Sequence, residues 1–264
     1  MRALLPTMLV VTLAQTAPVR AAPAKKPKIT IEEVAVMLAS NDEEELRSAL
    51  EAAPLLPPGE VVPMLEDRVR SGLSRTLLDV AIDSLQLLND KSASALLVEL
   101  SRHRRPEVRV RALESLSHAK TSQARDALVR GLGDADADVR NAAAMALAEL
   151  ADHGTFTTLL HALERGIEGA APALGKLAKP EDLNALFDAL EHHGLDRCRP
   201  FFATLLARRD FPDAEKVRAL ERLIARGGED TVDALSTLQS ELPADASPRV
   251  KKLLADAIQK AQNP

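Results

Sequence analysis

The chain repeats itself at a fixed interval, and nothing else in it restricts the fold so strongly. Setting Pro106-Glu107-Val108-Arg109-Val110-Arg111-Ala112-Leu113-Glu114-Ser115-Leu116 over Ala137-Asp138-Val139-Arg140-Asn141-Ala142-Ala143-Ala144-Met145-Ala146-Leu147 gives an offset of 31 throughout. Val108 falls on Val139, Arg109 on Arg140, Ala112 on Ala143 and Leu116 on Leu147. One further step back lands on Leu77, Ala81 and Leu85, the same apolar triplet at i, i+4 and i+8. Such spacing puts three apolar side chains on one helix face, and self-similarity on this scale marks an array of stacked units.

Composition agrees. Of 264 residues, 44 are Ala and 43 Leu, while Val (17) and Ile (6) are scarce, Trp and Tyr are absent and five Phe remain. The β-branched and aromatic residues that sheets use are missing, which excludes sandwiches, barrels and dinucleotide-binding sheets.

The breaks between helical periods carry start signals. Thr30-Ile31-Glu32-Glu33 is a capping-box pattern, Ser74 and Asp136 stand at expected N-caps, and Pro106 takes a first helical position, where its missing N–H costs nothing. Ser247-Pro248-Arg249-Val250 repeats that grammar near the end, ahead of Leu254 and Ile258. Shorter stripes lie between: Leu96, Leu97, Leu100; Ala124, Leu128, Leu132; Phe156, Leu159, Leu160, Leu163; Leu183, Leu186, Phe187, Leu190. The unit is a helical hairpin, and we expect about fourteen helices in seven pairs over residues 30–264, with the phase degrading after Gly166. A lone hairpin cannot cover its apolar faces, so neighbours must cover them and a superhelical stack follows. Alanine at the centre of each triplet lets helix axes approach to about 8 Å.

Asp136-Ala137-Asp138-Val139-Arg140-Asn141-Ala142-Ala143 and Pro106-Glu107-Val108-Arg109-Val110-Arg111-Ala112-Leu113 resemble the HEAT family in its short bacterial form, also called the phycobilisome-lyase-like repeat. The likeness is strong over residues 74–150 and weaker elsewhere; the copy at Leu77-Leu78-Asp79 lacks the Val-Arg pair. It implies an all-α, right-handed α-solenoid that contacts other proteins. It also implies a hydrogen-bond ladder between repeats from Arg109 and Arg140, with acids such as Asp138 as partners, and a concave side lined by the second helices. On those helices Arg125, Arg130, His161, Arg165 and Asp188 are the candidate binding residues. The family's alternative name raises a rival reading, a lyase or accessory factor handling a pigment or metal.

Residues 1–21 read as an export signal: Arg2, an apolar run from Leu4 to Leu13, then small residues with cleavage sites after Ala21 or Ala24. The run is too short to span a bilayer. Residues 22–29 read as a flexible leader, and the product is expected in the periplasm or outside the cell, without stable membrane insertion. Losing Arg2 and Arg20 takes the net charge from −5 to −7, which opposes nucleic-acid binding.

Chemistry-bearing patterns are sparse. The run Ser101-Arg102-His103-Arg104-Arg105 with Arg109 and Arg111 is the densest positive cluster, suited to an acidic partner but without aromatic residues for stacking on bases. Asp188 and His192 share a helix face near Glu191, His193, Asp196 and Cys198, yet His-His-x4-Cys is no established ligand frame, and we expect no metal. Cys198, the sole cysteine, reads as a small hydrophobe rather than a nucleophile. No phosphate loop, serine elbow or HExxH pattern occurs, so the expectation is a non-catalytic scaffold without cofactor, binding another protein.

Overall fold

The computed structural model describes residues 29–262, with side chains through Lys260. The export-signal and leader readings fall on residues 1–28, outside that range. Among the described residues there are fifteen α-helices, four single 3-10 turns and no strand. Among the described residues no helix is long and apolar enough to cross a membrane.

The helices form two parallel rows. One row holds α2 (Glu43–Ala52), α4 (Arg75–Leu88), α6 (Pro106–Leu116), α8 (Ala137–Leu150), α10 (Ala170–Leu177), α12 (Leu195–Ala207) and α14 (Glu229–Glu241). The other holds α1 (Ile31–Leu38), α3 (Pro58–Ser71), α5 (Ser94–Leu100), α7 (Ser122–Gly131), α9 (Phe156–Glu164), α11 (Leu183–Glu191), α13 (Asp213–Ile224) and α15 (Pro248–Gln262). Each even-numbered helix packs on the next even-numbered one. That is an α-solenoid, with one helix more than the seven pairs expected.

Start signals behave as their chemistry requires, with one exception. Thr30 Oγ1 accepts from Glu33 N at 3.2 Å while Glu33 Oε2 accepts from Thr30 N at 2.8 Å, and Asp136 accepts from the amides of Asp138 and Val139. Pro106 opens α6. Ser74 precedes α4 but caps nothing; its hydroxyl sits 3.3 Å from Thr76 Oγ1 instead.

The interval of 31 persists further than the residue types suggest. Leu46, Leu77, Val108, Val139, Ala170 and Phe201 form one buried column, and Leu50, Ala81, Ala112, Ala143, Leu174 and Leu205 the next, all at most 2% exposed. The expected decay after Gly166 is therefore a change of residue type, with geometry retained through α12. It ends at α14, which buries Ala234, Leu235 and Leu238 after the Gly227-Gly228 turn, where both glycines have positive φ. Even-row spacing is set by small residues. A Cβ on Gly175 would stand 2.6 Å from Phe201 O in α12, and one on Gly169 2.7 Å from Asn141 O in α8. Ala112→Leu is accordingly expected to cost about 1–3 kcal/mol through overpacking; an unchanged thermal midpoint would remove Ala112 from the seam.

Candidate functional site

The exposed face of the odd row is built by simple amphipathicity. In α7, Ala124, Ala127, Leu128 and Gly131 are buried; in α9, Phe156, Leu159, Ala162 and Leu163; in α11, Leu183, Leu186, Phe187 and Leu190. Spacing of three and four turns the remaining positions to water. All five expected binding residues lie on this face and are exposed. They do not converge.

Arg125, near the start of α7, pairs with Asp126 at 3.8 Å and with Asp152 of the next turn at 3.4 Å. The guanidinium of Arg130, at the other end of that helix, has no ion pair or hydrogen bond among the described residues. Arg165, just past α9, donates Nη2–H to Leu132 O at 2.5 Å, tying consecutive hairpins together. His161 Nδ1 lies 3.0 Å from Glu164 Oε2. Asp188 lines a shallow groove between α9 and α11 with Leu160, Glu164, Ala185, His192 and His193. The groove therefore brings Asp188 and His192 together, while Arg125 points to one edge of the array and Arg130 and Arg165 to the other.

The expected arginine ladder exists with a different acid. Arg109 forks onto Asp134, Nε to Oδ2 at 2.9 Å and Nη2 to Oδ1 at 2.6 Å, and its Nη1 donates to His103 O at 2.9 Å. Arg140 donates to the carbonyls of Asp134 and Ala135. Asp134 replaces Asp138 because the turn before α8 brings it beside α6, whereas Asp138 is an exposed residue of the first turn of α8. Burial pushes the Asp134 carboxyl up, but the Arg109 fork, the Asp136 amide and the charges of Arg109 and Arg140 together hold it below the ordinary range.

Cys198 is fully buried, its thiol 3.4 Å from Leu190 O and 3.7 Å from His193 O. Burial pushes the thiol up, against the pull of Arg226. The thiol packs among buried residues of α11 and α12 as a small apolar side chain. Among the described residues no group of three or more His, Cys, Asp and Glu is arranged to hold a metal ion.

Sequence reasoning missed a cleft of about 130 Å³ between α11 and α13. Phe187, Leu190, Phe202 and Leu223 line it, and Glu191 and Arg222 face each other across its mouth at 3.6 Å. Four of the five Phe lie between 187 and 211, the one signal in the sequence that marked this region. A second omission is His153, stacked on Phe156 with Nε2 2.8 Å from Asp182 Oδ2 of the next hairpin.

A family profile described as HEAT repeats matches residues 93–168, the segment from the turn before α5 to the turn after α9. No curated protein sequence matches the chain. Among solved structures it is similar to a chain of the CpcE–CpcF complex of phycocyanin lyase from Nostoc sp., at 18% identity and a TM-score of 0.47 over 93% of this chain and 100% of that one. Human deoxyhypusine hydroxylase matches at 16% identity and 0.42 over 89% and 96%, and a designed armadillo repeat protein at 18% and 0.38 over 88% and 100%.

Proposed function

We propose that this chain is a non-catalytic docking scaffold that holds another protein against the exposed face of α7, α9 and α11, and that it works in the cell envelope after export. The observation that carries the reading is the placement of Arg125 and Arg130 on α7, His161 on α9, Arg165 just past it and Asp188 on α11, all exposed. Helices stacked about 8–10 Å apart make that face a platform roughly 20 Å across. The even row supports this choice by being occupied with itself: Asp79 and Asp83 with Arg111, Glu149 with Lys176, Arg75 with Glu107 and Arg199 with Glu241. The docking face is argued from exposure and from the unpaired guanidinium of Arg130. Export is supported by the pattern of residues 1–21.

Double reversal R130E/R165E is expected to abolish retention of the partner from a native envelope extract while the chain stays folded, its thermal midpoint lowered only by loss of the Arg165–Leu132 hydrogen bond. Identical proteins captured in identical yield by parent and variant would overturn the reading. So would visible absorbance of the natively purified protein, which would report a bound pigment.

A further inference from the structure

The turns joining odd-row helices to the following even-row helices form one continuous edge, and its contacts can be followed across the array. Arg109 binds the His103 carbonyl of one turn and the Asp134 carboxylate of the next. Arg165 binds the Leu132 carbonyl, and the guanidinium of Arg197 lies against Gly166. Along this edge stand Arg102, Arg104, Arg105, Arg130 and Arg165, none with an ion pair among the described residues, in a chain whose other arginines are mostly paired. Asp134 is held by the Arg109 fork and Asp136 by the amides it caps, while exposed Asp138 carries no ion pair among the described residues. Glu168 and Asp196 lie further along, lining a separate cleft with Arg197.

We propose that this edge binds an extended acidic segment of a partner protein, its carboxylates held by Arg102, Arg104, Arg105, Arg130 and Arg165. This rests on the docking reading and adds the chemistry of what is docked. Planar guanidinium forks suit carboxylates. Successive turns recur at the helix spacing of about 10 Å, and a chain in the polyproline II conformation advances about 3.1 Å per residue with three residues per turn, so one acidic residue in three meets each turn on the same face. Burial, then the charges of Arg105 and Arg104, keeps His103 below its ordinary range, consistent with an uncompensated positive field. Nucleic acid fits less well because all five Phe are buried and offer no stacking surface. A lipid surface fits less well because the apolar residues of these turns, Leu132 and Ile167, are buried.

The probe is a fluorescein-labelled peptide with glutamate at every third position, read by anisotropy against the full chain. It should bind, lose affinity with added salt, and bind R102E/R104E/R105E about tenfold or more weakly. The neutral variant R102Q/R104Q/R105Q should fall between, which guards against misfolding of the reversed one. No binding to the parent, equal binding to all three, or tighter binding of an isomer with consecutive glutamates, of oligo-dT or of phosphatidylglycerol vesicles would overturn the proposal. In that case, loss of the native partner by R130E/R165E would still leave the docking face standing.

Discussion

Phe201→Ala is expected to lower stability by about 3–5 kcal/mol, read as a fall in the urea midpoint. Phe201 is fully buried in α12, meets Phe202 edge to face at 5.1 Å, and its carbonyl oxygen lies 2.6 Å from where a Cβ of Gly175 would stand. Glycine lets the backbone of α12 approach α10 closely; truncating the buried ring leaves a void in that seam. Because each hairpin touches only its neighbours, damage should spread from this seam. Hydrogen exchange should accelerate first over α10–α15 and least over α2–α6. Uniform acceleration along the chain would show that the array unfolds as one unit and would contradict that locality.

Arg109→Met is expected to cost about 3 kcal/mol near neutral pH, the lower end for breaking a buried pair, since both side chains retain some contact with water at 15% and 16% exposure. It strands the Asp134 carboxylate and the His103 carbonyl that the guanidinium serves. The pH dependence has a definite sign. Asp134 titrates lower in the folded chain than in the unfolded one. Its contribution is complete above the ordinary carboxylate range, near pH 4, and disappears as pH falls through the depressed native value. The stability gap between parent and variant should therefore narrow below about pH 4. An equal gap at pH 3 and pH 7 would mean that packing of the side chain, and not the ion pair, carries the effect.

The fold was readable where the chain spends the same residues on the same task. Val108, Val139, Ala112 and Ala143 announce the interval, and Thr30 and Asp136 announce their helices. Beyond Gly166 the columns continue as Ala170 with Leu174 and Phe201 with Leu205, a redistribution of volume between neighbouring layers that residue-by-residue matching cannot follow. Ser74 failed for a local reason: at a matching position its hydroxyl turned to Thr76. The ladder's acid was misassigned because the reach of Arg109 depends on how one turn sits beside the preceding helix. The exposed residues were identifiable from helical phase. What they touch was not, since opposite ends of one helix serve opposite edges of the array.

The common step from Leu46 to Phe201 also bears on how such a chain can change its length. Excising or duplicating one hairpin at equivalent points returns every downstream side chain to its original face, so modules can be gained or lost without redesigning the interior. Deleting a single residue instead rotates the downstream helix by roughly 100° and turns its Leu and Ala to water. Exchange of this kind stops at α14, where the buried positions leave the common step.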